Sequence, residues 1–471
     1  MVITVAVKKK RRTGKKEKIE KKVLGIIILF AVLFICLLAK ALTEKNPLQK
    51  SNFFREIRKE KKAVSKRKKR DQEKIRVLLT NTSMNSVFHD KIQITGSHNF
   101  TVERKGKKQN YQAGTSVTLS VADFSKSNEK VTFQCQEGKL KVTSILRRQE
   151  VPAYRGKLEI KKAEDGLLLI NELTIQEYLY GVVPGEMSAG YPLEALKAQA
   201  VCARSYAWNQ KKNHHYKRYD AHVDDTTAFQ VYNMAGEDEK TKKAVDTTAG
   251  ELLFHGKNVI TTYYYSTSWG SSATTEEAWG SAASSCYPAK LQITKDSQKS
   301  TGIKSLDFSD EKIFRSFMTK EICQTFDGES GWYRWKAEVP AQQLGARLGI
   351  GIVRKIVVLD RSKSGLLQRV RVEGTKGSRT IGGQQSIREK LFAPGTVIRT
   401  QDGSTQSLSL LPSAAFFVKD SVSDGNVIFQ MIGGGFGHGV GMSQNGAAAM
   451  AEEGYSYQQI LTHYYDNCRI R

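Results

Sequence analysis

The sequence predicts an α+β fold, a mixed, strand-rich region built around one long helix. Three observations carry this expectation. Between Ile75 and Val151, short β-prone runs recur (IRVLL, KIQITG, SVTLSV, KVTFQC and LKVTSIL), broken by Asn, Gly, Ser and Lys. From Pro192, the stretch PLEALKAQAVCARSYAWNQKK runs without glycine and sets Leu193, Leu196, Ala200, Ala203 and Ala207 at helical spacing, with proline where a first turn tolerates it. Further on, a helix over Asp310–Thr319 mixes with strands such as IVRKIVVLDR and LLQRVRVEG, and a helix-like SYQQILTHYY comes last.

The chain has 471 residues, more than one core usually supports, and its 39% hydrophobic content suits globular folding. Its net charge of +27 is uneven: residues 1–76 carry +18, leaving +9 for residues 77–471. The remainder has no zinc-finger spacing, RNP-like aromatic cluster or basic recognition helix, so no nucleic-acid partner is expected. The basic arm surrounds VLGIIILFAVLFICLLA, Val23–Ala39, an uncharged run that reaches Leu42 if Lys40 snorkels. Ten Lys/Arg between Lys8 and Lys22 place residues 1–22 in the cytoplasm, make 23–42 a single transmembrane helix and put the rest outside. The cluster Arg55–Arg70 pulls the other way without reversing the orientation. Ala39-Lys40-Ala41 offers a cleaved signal peptide as the alternative, but the apolar run exceeds the usual ~7–15 residue core of such peptides.

Residues 43–75, with almost no aliphatic side chains, read as a basic stalk, and 76–152 as a small β-rich module without a catalytic constellation. Five cysteines follow the span, Cys135, Cys202, Cys286, Cys323 and Cys468. They lack CxxC spacing; one pair could form outside the cell, and the sequence alone does not choose it. Residues 153–471 read as the larger folded region, which holds the candidates for chemistry. It opens with YRGKLEIKK, a turn at Asp165-Gly166 and LLLINEL. Thr174 then heads TIQEYLYGVV with Glu177 three residues later, as a capping box requires. ITTYYYSTSWGSSATT reads as a buried strand opening into a loop.

Glu186 is the first candidate for chemistry, in VVPGEM between an apolar, strand-like entry and a helix start. A carboxyl beside apolar groups holds its proton to higher pH and can donate it near neutrality. The alternative is a glutamate serving a helix N-terminus. Lys197 and Arg204, seven apart, share one face of the following helix, either to bind substrate or as a solvated basic stripe. In GFGHGVGMSQ, His438 stands among five glycines (Gly433, Gly434, Gly435, Gly437 and Gly439), with Ser443 and Gln444 behind it. A Ser/His hydrolase would need a G-x-S-x-G elbow and an acid partner, and neither is evident. His214, His215, His222, Asp224 and Asp225 could gather a metal, but H-E-x-x-H is absent and the segment reads as a connector; no metal and no other cofactor are expected.

Over Tyr154–Arg471 the ordered motifs NELTIQEYLYGVVPGEM, LEALKAQAVCARSYA, DDTTAFQVY, YYSTSWGSSATTEEAW, LDRSKSG and GFGHGVGMSQNGAAAMA resemble the stage II sporulation protein D family, which includes proteins named amidase enhancers. The resemblance implies a lytic transglycosylase that cleaves peptidoglycan glycan strands stripped of stem peptides by an amidase partner, in septal wall remodelling during sporulation. It places the catalytic glutamate on Glu186 and a required Lys and Arg on Lys197 and Arg204. With them, Tyr265, Ser266, Thr267, His438, Ser443 and Gln444 become substrate-binding candidates. The chain departs from zinc-binding relatives, which have a Cys before Asp-Asp and a His-Cys pair before Gln; here these positions are Val223, Ala228 and Phe229. One carboxyl suffices for lytic cleavage, whereas Asp224, Asp225, Glu276 and Glu277 keep a glycoside hydrolase open. A non-catalytic wall-binding enhancer of an amidase is the rival of a different class. The implied setting is the cell membrane, with the catalytic region outside and in a wall-degrading complex.

Overall fold

Alternation of apolar and polar residues builds the first sheet. In the strand Lys74–Leu79, Ile75 and Val77 face the core, and the strand lies antiparallel to Gly166–Thr174 with Ile75 opposite Leu173 and Val77 opposite Asn171. The computed structural model describes residues 69–126, 129–232, 236–423 and 426–471, with single residues between 55 and 67; 68–471 is one compact unit. Gly166–Thr174 pairs on its other side with Lys157–Ala163 in a hairpin that turns at Glu164-Asp165, and Gly166 follows at φ 143°, a conformation that favours glycine. The sheet continues through Lys130–Gln134, Phe100–Arg104 and Lys107–Tyr111, and Val223–Asp224 closes its far edge parallel to Lys74–Leu79. A second sheet orders Ser116–Ser120, Lys91–Gly96, Leu140–Val142 and Ala153–Tyr154.

These pairings cross the boundary expected at 152/153. Strands from 76–152 share sheets with 153–174, and one hydrophobic core runs from Ile75 through the helices to Cys468. An ion pair buried within it, Arg147 to Asp225 at 2.6 Å, with Thr80 donating to the same carboxylate at 2.7 Å, joins the two segments. The β-rich segment is therefore built into the body of the protein. The stalk limit at 75 moves as well. Asp71 accepts the Gly250 N–H and Arg70 reaches the Arg471 carbonyl, so the fold begins before the first strand. A second core, from Trp335 to Met431, lies under a five-stranded sheet containing Trp335–Pro340 and a three-stranded sheet containing Val353–Arg361.

Five helices frame the site: α1 (Ile175–Glu186), α2 (Leu193–Asn213), α3 (Glu239–Thr247), α4 (Gln444–Glu452) and α5 (Tyr457–Tyr464). α2 is the long helix the sequence predicts, and the other four pack around it. The capping box at Thr174 forms, Glu177 N–H donating to the Thr174 hydroxyl at 3.2 Å and the Glu177 carboxylate returning to the Thr174 N–H at 3.0 Å. Among the described residues no helix is long and apolar enough to cross a membrane; Val23–Leu42 and the tail before it lie outside the described residues.

Candidate active site

The segment expected as a strand-like entry to Glu186 is helical: α1 runs through Val182, Val183 and Pro184 and ends on Glu186. The capping box starts the helix, and Pro184 lies in its last turn, where one lost N–H costs little continuation. Glu186 therefore sits at a helix C-terminus, where a negative charge opposes the macrodipole, and not at an N-terminus that would welcome it. The adjoining Gly185 lets the 230s loop approach: a Cβ there would stand 3.1 Å from the Val231 carbonyl oxygen. That loop returns the Val231 N–H to Glu186 Oε1 at 2.9 Å.

Glu186 is half-buried as a residue, and protein encloses its carboxyl. Burial raises its pKa above the ordinary glutamate value, and the Val231 N–H, the Tyr264 hydroxyl and the Gln444 side chain offset part of the rise. Gln230 Nε2 donates to the Tyr264 hydroxyl oxygen at 3.0 Å, which leaves the hydroxyl hydrogen for Glu186. Gln444 Nε2 is buried without a partner at hydrogen-bonding distance, so its contact with the carboxyl is a longer one. No carboxylate is among the groups that shift Glu186. The acids that could serve a hydrolase are committed elsewhere. Asp224 accepts the Thr226 N–H at 2.8 Å and the Tyr216 hydroxyl at 2.6 Å, Asp225 pairs with Arg147, and Glu277 caps Thr274 at 3.0 Å. Glu276 is half-exposed or more in the first turn of a short helix, Thr275–Trp279.

Lys197 and Arg204 do share one face of α2, as their spacing predicts, but it is the face away from Glu186. At 3.6 residues per turn, Tyr206, whose ring lies near Glu186, is about 180° around the helix from Lys197. Arg204 is 1% exposed. It pairs with Asp71 at 3.4 Å and donates to the Val245 carbonyl at 3.0 Å and to Gln176 at 3.2 Å, holding α1, α3 and the start of the fold together. Lys197 pairs with Glu194 at 2.6 Å, and the other Glu194 oxygen accepts the Tyr457 N–H of α5 at 2.9 Å. Neither cation is placed to touch a substrate beside Glu186.

The glycine-rich motif delivers Gln444. Tyr264-Tyr265 pairs in parallel with Met442-Ser443, which carries the Gln444 amide to the crevice that Tyr264 enters. Ser443 itself is fully buried; its hydroxyl donates to Asp327 and accepts the Gly446 N–H at 3.3 Å, so it caps α4 and does not meet a ligand. His438 accepts the Val440 N–H on Nδ1 at 3.1 Å and meets the Tyr264 backbone with its other nitrogen, and burial lowers its pKa to about 4. It is a neutral support among Tyr263, Tyr265 and Trp279, which closes the Ser/His reading. Tyr265 is buried on that same side. Ser266 and Thr267 are tied to Asn445, whose Nδ2 donates to the Thr267 hydroxyl at 2.9 Å and whose Oδ1 accepts the Tyr191 hydroxyl at 3.0 Å. Beside them a cavity of about 320 Å³ opens along the 188–192 turn, lined by Ser188, Tyr191, Ser330 and Asn445.

The sequence reading missed Tyr264, Gln230 and Asn445. Three consecutive tyrosines gave no sign of which would face the carboxyl; strand alternation turns Tyr263 and Tyr265 to His438 and Tyr264 the other way.

The histidine-rich connector does not fit zinc. His222 Nδ1 accepts the Arg76 N–H at 2.9 Å, His215 bonds Gln210 at 2.7 Å, and Phe229 packs edge-on to His215 at 5.1 Å. Among the described residues no three His, Cys, Asp or Glu side chains are grouped to hold a metal.

Fold and site together define a class: an α+β protein with a carboxyl of raised pKa at a helix end, lined by tyrosines and amides. Residues 163–255 match the SpoIID family model, described as Stage II sporulation protein, so the chain carries a domain of the SpoIID family. Residues 273–441 match a family described as a domain of unknown function. The chain is 32% identical over 307 residues to the Amidase enhancer of Bacillus subtilis (strain 168), a match covering 61% of this chain and 39% of that protein. It is 28% identical over 315 residues to Stage II sporulation protein D of Bacillus subtilis (strain 168), covering 64% and 75%. An uncharacterized protein of Brachyspira hyodysenteriae (strain ATCC 49526 / WA1) is 28% identical over 356 residues, covering 75% and 79%.

Proposed function

We propose that this chain is a peptidoglycan lytic transglycosylase that acts on peptide-stripped glycan strands during sporulation, with Glu186 as its acid and base. The observation that carries the reading is the solitary Glu186 carboxyl at the end of α1, its pKa raised by burial and no second acid acting on it. The family match and the names Stage II sporulation protein D and Amidase enhancer support a cell-wall role, with an amidase as partner. Val23–Leu42 would anchor the protein, with the catalytic region outside the cytoplasm.

Glu186 donates its proton to the oxygen joining N-acetylmuramic acid to N-acetylglucosamine, and the bond from that oxygen to the muramic C1 breaks. The carboxylate, held by the Val231 N–H and the Tyr264 hydroxyl, then takes the proton of the muramic C6 hydroxyl, whose oxygen closes on C1 to leave a 1,6-anhydro end. No water attacks, so no second carboxylate is needed. Asn445, which lines the cavity along the 188–192 turn, borders the strand's path with Ser266, while the buried Gln444 and Thr267 support them from behind.

Glu186→Gln in the full chain tests this, because it preserves shape and removes the proton donor. Release of muropeptides from amidase-treated walls should fall by at least about 10²-fold. An unchanged rate would show that Glu186 is not the acid, and no release by the unmodified chain would move the protein to the non-catalytic enhancers. Reducing muramic ends in place of 1,6-anhydro ends would move it to the hydrolases.

A further inference from the structure

The five cysteines of the described region are all buried, and four neighbourhoods separate them. Cys135 faces the carbonyls of His98 and Asn99 at 3.8 and 3.7 Å. Cys202 meets the Tyr465 hydroxyl at 3.4 Å. Cys323 lies near Arg334. Cys286 and Cys468 neighbour each other: the Cys286 thiol is among the groups that raise the Cys468 pKa. The backbone holds them there independently of the sulfurs. The Asp466 N–H donates to the Cys286 carbonyl at 3.2 Å, Asn467 Nδ2 donates to the Ser285 carbonyl at 3.4 Å, and Lys290 pairs with Asp466. Asn467 sits at φ 56°, the left-handed conformation that turns the chain back into the strand Cys468–Ile470.

We propose that Cys286 and Cys468 are a disulfide site, oxidised by exchange with an external small-molecule or protein disulfide. One thiolate attacks the external disulfide and expels one thiol; the second attacks the mixed disulfide and expels the other. Two thiols are oxidised and one disulfide is reduced to two thiols, with no further oxidant required. Burial and the neighbouring thiol push the Cys468 thiol up to about 12, so exchange in the folded protein is slow at neutral pH and the bond forms as the chain folds. The link closes a loop of about 180 residues, a length at which a crosslink constrains the unfolded chain strongly. Its place explains its use. Cys468 lies opposite His255 in the strand pair that also carries Arg471, whose carbonyl receives Arg70, so the bond would pin the seam where the two ends of the folded body meet. Persistence of the bond in the cell rests on the extracytoplasmic placement proposed above; the pairing itself does not.

The test is to fold and equilibrate the full chain against oxidised and reduced glutathione, quench with an alkylating agent and map peptides by mass. The expected result is one crosslinked peptide pair, Cys286 with Cys468, while Cys135, Cys202 and Cys323 are alkylated; the melting temperature falls on reduction. Cys286→Ser and Cys468→Ser should each remove that redox-dependent difference in melting temperature. Full alkylation of Cys286 and Cys468 after folding in oxidised glutathione, or a crosslink to another cysteine, would overturn the assignment. The readout is independent of muropeptide release, so an active enzyme without the bond sinks this inference alone, and a bonded but inactive protein sinks the functional reading alone.

Discussion

Glu186 and Asp327 are carboxyls near helix ends whose pKa values burial raises, and their difference separates scaffold from chemistry. Asp327 is 1% exposed and fully served: Ser268 donates through its N–H at 2.9 Å and its hydroxyl at 2.7 Å, the Ser443 hydroxyl donates as well, and the Gly446 N–H of α4 completes the shell. Glu186 has one backbone donor, a tyrosine hydroxyl and a longer contact with Gln444. Burial raises both pKa values, so a raised pKa does not by itself mark a catalytic group. What distinguishes Glu186 is the hydrogen-bonding capacity left over by its sparser donors, on a half-buried residue. Asp327 has none to spare, and it holds together the two segments, 265–268 and 443–446, that carry Tyr265 and Gln444.

Substitutions should break this comparison in order of size. Removing a buried partner leaves a buried charge exposed to apolar surroundings, so Arg204→Ala should cost about 3–5 kcal/mol in urea unfolding by stranding Asp71. Asp327→Ala should cost about 1–3 kcal/mol, because the Ser268 and Ser443 donors lose their acceptor. Both should reduce activity only as far as they reduce folded protein. Tyr264→Phe should cost about 1 kcal/mol, because Gln230 Nε2 loses its acceptor, while raising the pKa of Glu186 further, since the hydroxyl favours the charged form; the alkaline limb of the rate profile then moves up. Smallest of all, Lys197→Ala should change stability by less than about 1 kcal/mol and leave muropeptide release near the unmodified rate, because its partly exposed pair with Glu194 is local to α2 and α5.

The same contrast explains what the sequence made legible. Local rules read well: the Thr174 capping box, the strand runs before Val151 and the glycine-free helix from Pro192 all form where propensity and spacing place them. Glu186 was visible as a polar residue in an apolar context, although its helix was not, because VVPG favours a strand until a capped helix upstream carries the chain through it. Long-range facts stayed hidden. Seven-residue spacing puts Lys197 and Arg204 on one face, but only the packing of α1, α3 and α5 decides that this face is turned from Glu186. Likewise nothing in residues 76–152 reveals that their strands continue into Lys157–Ala163.

The central claim, that one carboxyl keeps its proton until it meets the glycan, is tested most directly by melting the full chain and its Glu186→Gln variant across pH. A glutamate whose pKa is raised on folding adds stability that is complete below its unfolded value and is lost as pH rises through the folded value, whereas glutamine is indifferent. The two proteins should therefore melt alike in acid, with the variant becoming the more stable as pH rises through the raised pKa of Glu186. A variant that is less stable at neutral pH, with the gap closing in acid, would mean that Glu186 is held as a paired carboxylate and would contradict the account.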